Sequence, residues 1–304
     1  MVWSCLVSIL PGMAQTEKLT DYVNPFVGTD GYGNVYPGAQ IPFGGIQISP
    51  DTDSRFYDAA SGYKYNHLTL MGFSLTHLSG TGIPDLGDFL FIPGTGEMKL
   101  EPGTHEDPDQ GYRSRYSHDK EWASPNYYAV ELADYGVKAE MTSGVRSGMF
   151  RFTYPESDNA FIMIDMNHTL WQSCEWSNLR MINDSTITGY KLVKGWGPER
   201  HVYFTATFSK KLTGLRFVQD KKPVIYNTSR FRSSYEAWGK NLMACISFDT
   251  KAGEEVTVKT AISAVSTDGA RNNMKELDGL TFNELRAKGE ALWEKELGKI
   301  YVDC

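Results

Sequence analysis

At 304 residues, with 41% hydrophobic, 22% charged and 13% aromatic side chains, the chain has the composition of a folded globular protein and can bury one large core or two ordinary ones. A formal net charge of −7 without a basic stripe excludes nucleic acid as the expected partner, because no row of cations stands ready to neutralise phosphates. Seventeen Tyr, fifteen Phe and seven Trp are enough to fill a core and still leave flat apolar surfaces suited to the faces of sugar rings.

The first segment, MVWSCLVSILPGMAQ, is apolar from Val2 to Leu10 and carries small residues at Gly12 and Ala14. It reads as a signal peptide over residues 1–14 without its basic start, cleaved after Ala14. Trp3 and Ser4 fit a lipid-attachment box ahead of Cys5 poorly, and no other stretch reaches the roughly 18 apolar residues of a membrane span. The expectation is an exported soluble protein, periplasmic or extracellular.

VNPFVGTDGYGNVYPGAQIPFGGIQISPDT follows, from Val23 to Thr52. Its Gly, Pro, Asn and Asp suit a phosphate cradle, a linker, or an ordered loop that presents polar atoms to a ligand. Gly28 and Gly33 stand at P-loop spacing, but Asn34 and Val35 occupy the places of the Lys and Ser or Thr that would meet phosphate. Gly28, Gly31 and Gly33 form no dinucleotide fingerprint, and no helical period follows, so phosphate binding is rejected. In HLSGTG, from His77 to Gly82, Ser79 lacks the flanking glycines of a nucleophile elbow. His77 has two readings: a ring that fixes the loop by hydrogen bonds, or one that meets a ligand beside Ser79 and Gly80, where the backbone is free to approach closely. Asp85 and Asp88 suit an acid–base pair, although short loops carry such residues more often as turn caps. None of the six His stands in H-x-x-x-H spacing, so no zinc site is expected, and His168 and His201 read as structural.

From about Tyr112 onward, period-two alternation dominates. HVYFTATFSKKL places Val202, Phe204, Ala206 and Phe208 on one face, and EEVTVKTAISAVS does the same with Val256, Val258 and Ile262. YYAVELADYGVKAEMTSG reads as two strands about a turn at Gly136, and GMFRFTYP and NAFIMIDM as two more. Short strands separated by Gly, Pro, Asn and Asp predict a large antiparallel β-sandwich. Cys174 and Cys245 have neither redox nor metal spacing; pairing stays open, and two buried thiols is the simpler reading. Asn-x-Ser/Thr sequons begin at Asn167, Asn183 and Asn227 and matter only in a eukaryotic secretory route. A short helix is expected through Ala270 to Leu277. After it, Thr281 and Glu284 form a capping box, Leu280 and Leu285 a staple, and Leu285, Leu292, Trp293 and Leu297 an apolar stripe interrupted by Gly289. That stripe requires a cover, either the sandwich itself or a further domain. The divisions are a signal peptide over 1–14, a sandwich over 15–279, and a linker helix over 280–304 leading toward a domain this chain lacks.

Taken together, DYVNPFVGTDGYGNVYPGAQIPFGGIQISPDT, SGYKYNHLTLMGFSLTHLSGTGIPDLGDFLFIPGTG and GYKLVKGWGPERHVYFTATFSK resemble the amino-terminal domain of family 92 glycoside hydrolases, over about Asp21 to Asp303. The resemblance implies an all-β, galactose-mutarotase-like supersandwich followed in the family by a C-terminal (α/α)6 barrel. It implies calcium-dependent, inverting exo-α-mannosidases, with the pocket for α-mannosides between the two domains. The Gly/Pro-rich opening segment then becomes an ordered part of the sandwich facing that cleft. Inversion needs an acid and a base far enough apart to admit a water. In the family these carboxylates and most groups around the calcium belong to the barrel, so no catalytic or metal residue is expected in this chain. Carried over by motif, Phe26 matches an aromatic lining the mannose pocket. Tyr57 stands about where α-1,2-acting members place a Trp for the leaving sugar, with Phe56 an almost equal candidate, and His77, Ser79 and Gly80 form a further cleft-facing loop. The expected function is one wall of a mannosidase cleft, inactive alone. The alternatives are a stand-alone carbohydrate-binding sandwich, or a scaffold that pairs through the Leu285–Leu297 stripe with a separate helical subunit.

Overall fold

The computed structural model describes residues 17–54, 59–225 and 235–300, so the expected signal peptide, Phe56, Tyr57 and the Asn227 sequon lie outside the described residues. Two antiparallel sheets carry the fold. A seven-stranded sheet runs, in spatial order, through Ser49–Asp51, Gly72–Ser74, Leu90–Thr95, Ser157–Asp165, Leu242–Thr250, Gly214–Gln219 and Lys222–Pro223. A nine-stranded sheet runs through Glu236–Gly239, Ser173–Asn183, Thr186–Lys194, Arg200–Phe208, Glu254–Ser263, Ser147–Tyr154, Val137–Ser143, Tyr127–Leu132 and Glu121–Ser124. The all-β expectation holds, and the described residues contain no helical barrel. The hairpin expected about Gly136 forms there, with φ +64° at the glycine.

Alternation explains the core between the sheets. Val202, Phe204, Ala206 and Phe208 face inward from one strand, and Val256, Val258 and Ile262 from its neighbour. They meet Phe73, Phe89, Phe91 and Ile162 of the opposite layer, with Phe89 and Phe204 rings 4.5 Å apart and Phe91 and Phe150 rings 4.9 Å apart. Burying each such ring stabilises the fold by about 2 kcal/mol. The strand Ser157–Asp165 departs from simple alternation: Ala160 to Ile164 are all buried. Ile162 and Ile164 face the main core, whereas Phe161 and Met163 join a second cluster with Met71, Tyr112 and Met243 on the sheet's other face.

Helix α1 spans Thr267–Met274, capped by the Ser266 hydroxyl accepting from Gly269 N at 2.9 Å, and continues as a 3-10 turn to Leu277. Helix α2 spans Phe282–Leu297 and carries the expected capping box, with Thr281 N donating to Glu284 Oε2 at 2.8 Å and Glu284 N to Thr281 Oγ1 at 3.3 Å. It folds back onto the nine-stranded sheet. Phe282 and Leu285 join Tyr127, Ala129, Met149 and Leu277 in a third cluster. Gly289 is the point of closest approach, since a Cβ there would fall 1.7 Å from Asn126 Nδ2. Trp293 Nε1 donates to the Gln40 carbonyl at 2.8 Å, and Glu294 accepts from Leu19 N at 3.1 Å and Thr20 N at 2.7 Å. The reading of this stripe as an interface for a separate subunit is therefore corrected: Leu285 is buried and Trp293 bonded within the chain, leaving Leu292 as the exposed member.

Candidate functional site

Two buried ionic networks order the loops at one end of the sandwich. Asp51, at the end of its strand, is fully buried between two imidazoles: Oδ1 lies 2.8 Å from His77 Nε2 and Oδ2 lies 2.7 Å from His168 Nε2. His77 Nδ1 meets the Gln47 carbonyl at 2.8 Å and its Nε2 also faces Ser74 Oγ at 3.1 Å. Gly62 makes room for the carboxylate; with φ +86°, it would place a Cβ 2.0 Å from Asp51 Oδ1. Burial pushes the Asp51 carboxyl up, but the two rings outweigh it and hold it well below the usual carboxylate range.

The second network centres on Asp88, also fully buried. Lys191 Nζ lies 3.1 Å from Oδ1, Arg200 Nη1 2.6 Å from Oδ2, and the Thr76 hydroxyl donates to Oδ2 at 2.7 Å. Here too burial acts upward and is overcome by the two cations, so the carboxyl titrates well below its ordinary value. Asp88 is thus held inside the fold by two cations and a hydroxyl. Asp85 caps Leu86 N at 2.6 Å, in keeping with the turn-cap reading. Lys191 Nζ also donates to the His168 carbonyl at 2.6 Å, joining the two networks.

On this rigid base stands an open recess. Trp171 holds φ +69° and is 62% exposed; Trp196, between Gly195 and Gly197, is 68% exposed. Two adjoining hollows of about 670 Å³ each share Trp171, Gln172 and Ser173. The first also takes in Ser54, Asp165, Asn167 and Cys174, the second Glu175, Lys194 and Trp196. Gln172 donates from Nε2 to the Pro84 carbonyl at 2.9 Å, while its buried Oε1 has no hydrogen-bond partner among the described residues. Exposed indole faces beside neutral amides, hydroxyls and a carboxylate suit stacking against an apolar ring face with hydrogen bonds at its rim. Cys174 and Cys245 are buried free thiols, pushed up by burial and so poor nucleophiles.

The residues expected from sequence are placed differently. Phe26 is half-buried, meeting Tyr65 edge-on at 5.7 Å and Tyr63 at 6.5 Å; Tyr65 stacks on His118 at 3.9 Å, and His118 Nδ1 bonds Glu121 at 2.6 Å. His77 is buried and bonded to Asp51 and the Gln47 carbonyl, the loop-fixing contacts of the first of its two readings. Ser79 and Gly80 are exposed, and Gly80 N donates to the Asn34 carbonyl at 2.7 Å, which ties this loop to the Gly/Pro-rich segment. None of Phe26, His77, Ser79 and Gly80 lines the recess at Trp171. Reading the sequence for motifs missed Trp171, Trp196 and the partners of Asp51. A bulky ring between two glycines in KGWGP was the available signal.

Residues 22–263 match the family model of the glycosyl hydrolase family 92 N-terminal domain. Among solved structures, a family GH92 alpha-mannosidase from Bacteroides thetaiotaomicron is 98% identical with a TM-score of 0.93, over 96% of this chain and 40% of its own. A GH92 family glycosyl hydrolase, ccman5, is 26% identical with a TM-score of 0.79, over 93% of this chain and 38% of its own. An uncharacterized secreted glycosidase of Arthroderma benhamiae is 26% identical over 92% of this chain. The chain spans about 38% of that curated relative's length.

Proposed function

This chain belongs to glycosyl hydrolase family 92, as its N-terminal domain, and from that premise we propose that it forms one wall of the mannoside cleft of an exported, inverting exo-α-mannosidase of the α-1,2 type that trims glycans. The observation that carries this reading is the 98% identity with a GH92 alpha-mannosidase over 96% of the chain. In this proposal a C-terminal (α/α)6 domain in cis supplies the general acid and the general base. The present chain supplies aromatic faces and ordered loops. Phe26, Tyr57 and Phe56 remain the proposed contacts to the terminal and leaving sugars, with Ser79 and Gly80 on the adjoining loop, and Trp171 extends the surface. No helix among the described residues is long and apolar enough to cross a membrane.

Calcium dependence is part of the proposal for the longer protein. No group of three or more His, Cys, Asp or Glu converges among the described residues, and Asp51 and Asp88 are already bonded to imidazoles and cations, so no ligand of the ion is named in this chain. No step is assigned to calcium here.

The test compares the 304-residue chain with the same chain joined to the C-terminal portion of the Bacteroides alpha-mannosidase. The joined protein is expected to release mannose from α-1,2-mannobiose with inversion, seen by proton NMR as the β anomer first, and to lose activity in EDTA. Mannose release by the short chain alone overturns the division of labour.

A further inference from the structure

The nine-stranded sheet buries one face in the core. Helices α1 and α2 cover part of its other face, α1 over Glu254–Ser263 and Arg200–Phe208, α2 over Val137–Ser143 and Ser147–Tyr154. The half built by Glu236–Gly239, Ser173–Asn183 and Thr186–Lys194, together with the adjoining side of Arg200–Phe208, carries a groove of about 470 Å³. Register places Trp238 opposite Asn178, Asn178 opposite Tyr190, and Tyr190 opposite Tyr203, so one row of side chains crosses four strands. The adjacent residues Ala237, Leu179 and Phe204 belong to the core, which puts the row on the outer face. Trp176, two residues before Asn178, shares that face. Trp238 is 53% exposed and Trp176 45% exposed. The Tyr190 and Tyr203 rings lie 4.9 Å apart, and the Tyr190 hydroxyl is fixed by His201 Nδ1 at 3.1 Å.

Polar groups interleave with these rings. Arg180 stands opposite Glu236 and Thr188 in the next row, and no hydrogen bond or ion pair joins its guanidinium to another described residue. Asn178 Nδ2 holds the Glu236 carboxylate at 3.2 Å. The rim on α1 carries Asp268 and Arg271, bonded to each other at 3.0 Å. Two cations against two anions leave the groove neutral. That balance suits neither a phosphate backbone nor an acidic peptide, and the interleaved polar groups break up the continuous apolar patch that a protein partner would bury. A pyranose chain needs what is present: flat rings for its apolar faces, and a guanidinium and a carboxylate for pairs of neighbouring hydroxyls.

We infer that this outer face is a second carbohydrate-binding platform, separate from the recess at Trp171, which holds a neutral α-mannan chain across Trp238, Tyr190 and Tyr203. The inference rests on the reading of the protein as acting on mannosides. The test is affinity electrophoresis of the 304-residue chain through gels with and without α-mannan, with dextran as the control polysaccharide. Mannan is expected to retard the chain, Trp238→Ala and Tyr190→Ala to weaken retention by about tenfold, and Trp122→Ala, an exposed ring on the strand at the opposite edge of the same sheet, to leave it unchanged, with circular dichroism melts confirming that each variant is folded. Full retention by Trp238→Ala, or no retardation of the unmodified chain, overturns the platform. Loss confined to Trp171→Ala also overturns it while leaving the mannosidase reading intact, which stands or falls on mannose release by the joined protein. Light scattering that shows a dimer converted to monomer by Trp238→Ala assigns the face to a second copy and likewise overturns the inference.

Discussion

Asp51 accepts from two imidazoles that reach it from loops 26 and 117 residues away in the chain. Its carboxyl titrates below the unfolded value of about 3.9, so it adds stability above that pH and loses it as pH falls through the range below. Asp51→Asn is expected to destabilise the chain by about 3 kcal/mol near neutrality. Urea melts should show the gap to the unmodified chain closing from roughly pH 5 toward pH 2; a gap that persists in acid would remove the carboxylate from the account. Trp171 poses the opposite case, an exposed ring on left-handed backbone that costs about 1 kcal/mol. Trp171→Gly should melt no lower than the unmodified chain, yet raise KM for mannosides in the joined protein. A lower melting point with KM unchanged would make the ring structural. At this scale the sequence was only partly legible. Glycines and prolines near Phe26 and His77 announce loops, but whether His77 points in or out depends on Asp51, and no spacing rule connects residues that meet only across a tertiary fold.

Secondary structure was far easier to read, because its signals are local. The period-two runs at 202–208 and 256–262 and the capping box at Thr281 all form as expected. The strand at 157–165 reads as a continuous apolar run for a physical reason: both its faces are covered. Gly289 looked like a flaw in α2, and its purpose appears only when Asn126 is placed beneath it. Asn126 Nδ2 donates to Thr142 Oγ1 at 3.0 Å and to the Ser143 carbonyl at 3.0 Å, while Oδ1 accepts from Ser143 N at 3.1 Å, so the amide has little freedom to retreat. Gly289→Ala is therefore expected to lower stability by about 1–3 kcal/mol despite the better helix propensity of Ala. A thermal melt at or above that of the unmodified chain would contradict this packing argument.

For the molecule as a whole, length, charge and alternation indicated a large antiparallel sandwich, and the ordered motifs led to the family. What composition could not convey is how the two ends of the described chain are fastened together. Glu294 on α2 holds Leu19 and Thr20, and the Thr20 contact spans 274 residues of sequence. Synthesis supplies Thr20 well before Glu294. The opening segment therefore emerges without its partner and waits through production of both sheets, and the contact can close only once α2 has been made. A released chain truncated before Phe282 should carry assembled sheets and a protease-sensitive start, whereas one extended past Leu297 should protect it. Closure in this molecule is an event in time, set by the arrival of α2.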